Sequence, residues 1–174
     1  MFFAIKITMR FQTVEDLKHA GFAGFISVEY LRTDASVIPA CMGVYMVVRT
    51  MECTPEYLEV GTGGFYKGKN PNVAIHELES NWVDATCVVY IGKAGTMGKK
   101  QTLRKRIGQY IRFGKGEDVG HYGGRLIWQL KDSSQLLFCW KELLDEDPRD
   151  VEHNLISEFK LQYDGRRPFA NLQD

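Results

Sequence analysis

Three short runs of β-branched and aromatic residues place the strongest constraint on how this chain can fold. They are GVYMVVR (43–49), CVVYIG (87–92) and QLLFCWKEL (135–143), and each has the length and composition of a β-strand. Amphipathic segments with a helical period follow the second and third runs, at 102–113 and 148–163. The chain therefore predicts a mixed α/β fold of the α+β type, in which helices flank a small, mainly antiparallel three-stranded sheet.

The length of the chain, 174 residues, corresponds to about one domain, so we expect a single domain over 1–174. Residues 1–42 precede the first strand and form an N-terminal extension, and 43–174 form the core. Residues of about 50–87 are acidic and include the glycine-rich GTGGFYKGKNPN (61–72). This composition predicts a mobile insertion between the first two strands.

The charge of the chain is unevenly distributed. The 22 basic and 22 acidic residues cancel, but 90–131 carries ten basic and two acidic side chains. Such a basic segment is the electrostatic footprint that phosphate binding requires. A lysine-rich, solvated surface would produce the same count, so charge alone leaves both interpretations open.

The cysteine pattern and the hydropathy indicate the cellular compartment of the protein. None of the four cysteines is in a C-x-x-C pair, which argues against a zinc site and favours reduced thiols in a cytoplasmic setting. No stretch reaches the roughly 18 consecutive apolar residues that a membrane span requires. We therefore expect no membrane association.

Glu152 occupies an unusual position on the 148–163 helix. On a helical wheel it lies in the middle of the apolar stripe that Val151, Leu155 and Phe159 form. A carboxylate there is costly unless it is paired, protonated or bound to a metal. A salt-bridged glutamate at the edge of the core and a metal ligand or active-site acid are both compatible with the pattern.

Two tyrosines and an arginine can meet near this carboxylate. Side chains alternate along strands, so Tyr45 and Tyr90 project to one side if their strands pair antiparallel. Arg106 and Tyr110 are neighbours one turn apart along the edge of the 102–113 helix. Tyrosines in strands are usually packing residues, and it is their combination with Arg106 and Glu152 that indicates a site.

Five motifs in this order resemble those of the GIY-YIG nucleases, which are metal-dependent phosphodiesterases. The residues that carry the resemblance are Gly43-Val44-Tyr45, Tyr90-Ile91-Gly92 with Lys93, Arg106 and Tyr110 in LRKRIGQY, Glu152 in VEHNLI, and Pro168-Phe169-Ala170-Asn171. The resemblance covers roughly 43–49 and 88–174. One departure is the long separation of Tyr45 from Tyr90, which the family usually joins by a short hairpin.

The resemblance implies an endonuclease that hydrolyses DNA with one divalent cation, Mg²⁺ or Mn²⁺, held by Glu152. Tyr45 would help to deprotonate the attacking water, and Arg106 would brace the phosphate. The implied catalytic residues are Tyr45, Tyr90, Lys93, Arg106, Tyr110, Glu152 and Asn171. The implied nucleic-acid contacts are Lys99, Lys100, Arg104, Lys105, Arg112 and His121.

Double-strand cleavage needs two active sites or two binding events, so a homodimer is one expectation for this chain. Two alternatives remain open at this point. One is a DNA-binding relative that has no catalytic activity. The other is a nuclease that acts on single-stranded DNA or on RNA.

Overall fold

The fold is built on a four-stranded antiparallel sheet in the strand order β1-β4-β2-β3. The computed structural model describes residues 8–96, 98 and 100–173. The strands are β1 (Ala23–Ser27), β2 (Gly43–Val48), β3 (Val88–Ala94) and β4 (Leu137–Glu142). The predicted class, a small antiparallel sheet flanked by helices, is confirmed, but the sheet has four strands instead of the predicted three.

The additional strand, β1, comes from the N-terminal extension and pairs with β4. The register shifts between Gly24 and Ile26, and Phe25 has a positive φ of 57°. This bulge breaks the alternation of side chains that identifies a strand in a sequence. Part of the predicted N-terminal extension, Ala23–Ser27, therefore belongs to the sheet.

Five α-helices accompany the sheet in the described residues. They are α1 (Val14–His19), α2 (Val28–Leu31), α3 (Ile75–Asn81), α4 (Leu103–Phe113) and α5 (Pro148–Gln162). The side chain of Thr102 caps α4 by accepting from Lys105 N, and Asp147 caps α5 by accepting from Arg149 N. These caps start both helices within a residue of the predicted positions.

Both faces of the sheet are buried. One face, which includes Tyr45 and Val47, packs against α4 and a 3₁₀ helix at Tyr122–Gln129. The other face, which includes Val44 and Met46, packs against α1 and α5. The edge strand β3 is therefore the place where side chains from α4 and from α5 can approach one another.

The insertion between β2 and β3 packs against the domain. Gln129, which is 1% exposed, donates from Nε2 to the carbonyls of Leu58, Glu59 and Val73 and accepts from Val73 N. A Cβ on Gly64 would lie 2.1 Å from the carbonyl oxygen of Glu117, so only glycine permits this approach. The segment predicted to be mobile is thus held by specific hydrogen bonds.

None of the helices in the described part of the chain is long and apolar enough to cross a membrane.

Candidate active site

Tyr45 and Tyr90 lie side by side on one face of the sheet, as the antiparallel pairing of β2 with β3 predicts. Tyr45 is opposite Gly92 and Tyr90 is opposite Val47, with 6.0 Å between the two ring centroids. A Cβ on Gly92 would lie 2.6 Å from Cζ of Tyr45 and 2.8 Å from Cε1 of Tyr90. The glycine of the second motif therefore makes room for both rings.

Tyr110 and His121 complete a cluster of four rings. The Tyr110 ring lies 5.3 Å from that of Tyr90, and the His121 ring stacks on Tyr110 at 3.6 Å with an interplanar angle of 5°. His121 Nε2 lies 2.9 Å from the hydroxyl oxygen of Tyr45. His121 is 2% exposed, so it belongs to the buried cluster and not to the surface where it was predicted to contact nucleic acid.

Arg106 lies one turn before Tyr110 on α4 and is half-buried. Its Nη1 donates to the carbonyl of Gly120 at 3.1 Å. Its positive charge lowers the pKa of both Tyr45 and Tyr90, although the effect of burial is larger. Arg106 is one turn from Tyr110 on α4, as predicted, and the Tyr110 ring lies against those of Tyr45 and Tyr90.

Glu152 on α5 forms a salt bridge with Lys93 on β3. The side chains of Lys93 and Glu152 are 33% and 17% exposed, so the pair lies at the edge of the core. The Glu152 charge contributes to raising the pKa of both Tyr45 and Tyr90, although the effect of burial is larger. Of the two alternatives that the sequence left open, the structure shows the salt-bridged glutamate, and the metal ligand or active-site acid stays a prediction.

Burial controls the protonation of the cluster. It raises the pKa of Tyr45 well above its ordinary value and the pKa of Tyr90 to about 12. Burial, with a smaller contribution from Arg106, lowers the pKa of His121 well below its usual range. At neutral pH both phenols keep their protons and the imidazole is neutral, so Tyr45 is not a base in this environment without a further cation.

Asn171 binds the free edge of β3. Its Oδ1 accepts from Ile91 N at 2.9 Å, and its Nδ2 donates to Ile91 O at 2.8 Å. The preceding residue, Ala170, donates its backbone N–H to the carbonyl oxygen of Val89 on the same strand, at 2.8 Å. Since both polar atoms of the amide are engaged by Ile91, Asn171 positions the strand that carries Tyr90 and Lys93.

The predicted nucleic-acid contacts are spread over the surface near α4. Arg104 anchors a loop by donating to the carbonyls of Ser36 and Ile38, and Arg112 is paired with Glu117. Two other lysines are exposed and form no salt bridge with a described residue; they are Lys100 and Lys105. Lys99 lies outside the described residues.

The donor set around Glu152 determines which metal could bind. No group of three or more His, Cys, Asp or Glu side chains in the described part of the chain could hold an ion. One Glu152 oxygen accepts from Lys93, and the other has no protein donor among the described residues. Mg²⁺ commonly binds one or two carboxylates and completes its shell with water and substrate phosphate, so this site fits a weakly held ion.

A separate cleft of about 980 Å³ opens where β2 ends and β3 begins. Its walls include Arg49, Tyr57, Trp82 and Asp84, and none of the four clustered rings. Arg49 is already bound by Asp132 and by the carbonyls of Met51 and Cys53. The volume of this cleft therefore does not mark the chemistry of the tyrosine cluster.

No family model, no curated protein and no solved structure matches this chain.

Proposed function

We propose that this protein is a metal-dependent endonuclease of the GIY-YIG type that hydrolyses phosphodiester bonds in DNA. The observation that carries the proposal is the meeting of Tyr45, Tyr90, Arg106 and Glu152 at the edge strand β3. These residues come from four separate elements, and the charges of Arg106 and Glu152 both shift the pKa of both tyrosines. Tyrosines whose pKa is raised by burial and also responds to specific charged neighbours are more frequent at active sites than elsewhere.

Phosphodiester hydrolysis requires an activated water and stabilisation of the charge that develops on the phosphate. Arg106 uses Nη1 to bind Gly120, and its planar guanidinium has further donors for the equatorial phosphate oxygens. When bound at Glu152, Mg²⁺ or Mn²⁺ supplies charge neutralisation and lowers the pKa of a coordinated water. Lys93 holds the carboxylate of Glu152 in place.

The two tyrosines differ in how closely they can approach the attacking water. Tyr90, 8% exposed, is the tyrosine that can touch the water, whereas Tyr45 is 0% exposed and acts behind it. Neutral His121, with Nε2 2.9 Å from the Tyr45 hydroxyl oxygen, fixes the orientation of that hydroxyl; because burial raises the pKa of Tyr45 and lowers the pKa of His121, the imidazole does not take the phenol proton. Tyr45 would therefore help to deprotonate the water only when a cation held at Glu152 lowers the pKa of the phenol.

A DNA-binding protein without catalytic activity is the second candidate. The salt bridge between Lys93 and Glu152 supports it, because the ammonium group already neutralises the carboxylate that would hold a metal. In that case, the basic residues Lys100 and Lys105 would bind phosphates in a salt-sensitive manner without turnover.

We further propose a cytoplasmic location, which the four free cysteines support. A homodimer would provide the second active site that double-strand cleavage requires.

The test is cleavage of supercoiled plasmid, single-stranded DNA and RNA, with Mg²⁺, Mn²⁺ or EDTA. We expect metal-dependent cutting that Glu152→Gln abolishes and that Glu158→Gln, a matched control on the same helix, retains. The product pattern separates nicking from double-strand cleavage. Equal cutting by wild type and Glu152→Gln would overturn the assignment. Salt-sensitive DNA binding without any cutting would establish the second candidate.

A further inference from the structure

We propose that the insertion between β2 and β3 contributes to a surface beside the active site that binds unpaired nucleobases. The surface, called here the insertion surface, consists of Phe65, Tyr66, Lys67, Lys69, Tyr122 and Arg125. The inference rests on the proposed function, since it assigns to the insertion a role in holding the nucleic-acid strand. Its partner is a single strand, or a duplex with an unpaired base.

Aromatic rings and cations alternate across the insertion surface. Lys67 Nζ lies 5.2 Å from the centroid of the Tyr66 ring, while Lys69 Nζ and Arg125 Cζ lie 5.7 and 4.1 Å from that of Tyr122. Proteins that bind single strands combine rings on which bases stack with cations that neutralise phosphates. The chemistry of the surface therefore matches a nucleic-acid strand.

Phe65 is the ring that remains available for stacking. It is 53% exposed, and no ring or cation of the described residues packs on it. The rings of Tyr66 and Tyr122, in contrast, are approached by Lys67, Lys69 and Arg125. An exposed phenylalanine next to phosphate-binding cations is well suited to stack on one base.

The insertion surface is held in place before any ligand binds. The hydroxyl of Tyr122 donates to Asn70 O at 3.0 Å, and Lys67 N donates to Asp118 Oδ1 at 3.0 Å. Gln129 fixes both sides of the loop through Leu58, Glu59 and Val73. A preorganised surface loses little conformational entropy on binding, so stacking on Phe65 is not offset by ordering of the loop.

The same chain segment connects the insertion surface to the active site. Gly120 accepts the hydrogen bond from Arg106, His121 binds the Tyr45 hydroxyl, and Tyr122 belongs to the insertion surface. A strand that stacks a base on Phe65 can therefore place a neighbouring phosphate near Arg106.

The local charge balance also favours a polyanion. The carboxylates of the adjacent segment 114–121 are Glu117, which is neutralised by Arg112, and Asp118. The insertion surface carries three cations, Lys67, Lys69 and Arg125, whereas Asp118 is the one carboxylate of that segment without a salt bridge among the described residues.

The test is binding in EDTA, where no cleavage occurs, measured by fluorescence anisotropy and by quenching of 2-aminopurine on stacking. The probes are a single-stranded DNA, the same sequence as RNA, a duplex with one unpaired 2-aminopurine, and a fully paired duplex. We expect Phe65→Ala to weaken binding of the probes with unpaired bases about tenfold and to abolish the quenching. Phe65→Trp should restore both signals. The matched control is Leu161→Ala, an 85% exposed apolar side chain on α5, which should bind like wild type.

The outcomes separate this inference from the proposed function. A tenfold loss of affinity in Phe65→Ala for any of the three probes with unpaired bases supports the inference, and the probe that shows the loss identifies the preferred nucleic acid. A contrary outcome is that wild type binds the probes in a salt-dependent manner while Phe65→Ala shows the same affinity and the same 2-aminopurine quenching, or loses affinity only for the paired duplex. Either result would overturn the base-binding role of the insertion surface and leave the nuclease proposal standing. If wild type binds none of the probes, both fail.

Discussion

Replacing Asn171 by alanine tests whether this residue acts on the reacting atoms or on the strand that carries the site. The amide makes two hydrogen bonds to the backbone of Ile91, which is 0% exposed. The Asn171→Ala variant removes both partners and leaves the N–H and the carbonyl of Ile91 unpaired in a buried environment.

The expected magnitude follows from these two bonds. An unsatisfied buried backbone group costs about 1–3 kcal/mol, and water that enters the vacated space recovers part of this cost. We therefore expect the free energy of unfolding to fall by about 2–4 kcal/mol. For a urea dependence of about 2 kcal/mol per M, the unfolding midpoint moves down by about 1–2 M.

The assay is urea unfolding followed by tryptophan fluorescence, since the chain has 3 tryptophans. The control is Asn154→Ala, an exposed asparagine on α5, for which we expect a change within about 0.5 kcal/mol. If Asn171→Ala unfolds at the wild-type urea concentration and yet loses cleavage, the reasoning is refuted and the amide acts directly in the chemistry.

Three further predictions concern the ring cluster and its edge. Gly92→Ala places a methyl group 2.6 Å from Cζ of Tyr45, so urea unfolding should show a free energy of unfolding about 1–3 kcal/mol lower than wild type. The control, Gly108→Ala on α4, has open space around the added methyl and should not destabilise the protein. Because folding lowers the pKa of His121, the unfolded state binds more protons below about pH 6.5, and the free energy of unfolding should fall by up to about 1.4 kcal/mol for each pH unit of acidification beyond the fall in His121→Gln. Parallel plots of unfolding free energy against pH for the two proteins would contradict the burial argument. Lys93→Met removes the cation that competes for Glu152, so Mn²⁺ affinity measured by electron paramagnetic resonance should rise several-fold, and an unchanged affinity would argue against Glu152 as the ligand.

The elements that the sequence predicted are those with strong local signals. Strands β2, β3 and β4 have β-branched and aromatic runs, and α4 and α5 have both periodicity and capping residues, Thr102 and Asp147. Strand β1 was missed because its left-handed Gly24 and Phe25 remove the alternation of a regular strand. Local pattern therefore predicted three adjacent strands, β4, β2 and β3, but not the edge strand β1.

The site was predictable to a similar extent. The antiparallel pairing of β2 with β3 was enough to bring Tyr45 and Tyr90 to one face. His121, in contrast, follows an irregular segment with no period, so nothing in the sequence shows that it stacks on Tyr110. The packing of the insertion depends on Gln129, whose partners lie 56 to 71 residues away and leave no local trace.

The strand order has a consequence for the synthesis of the chain. Strand β4 lies between β1 and β2, yet β1 and β4 are separated by about 110 residues, a long-range pairing that raises contact order. At translation rates of about 5–20 residues per second, β1 waits roughly 6–22 seconds for its partner. During that interval, the nascent chain exposes the unpaired edges of both β1 and β2. Chaperone contact with the N-terminal third is therefore expected until residue 142 has emerged.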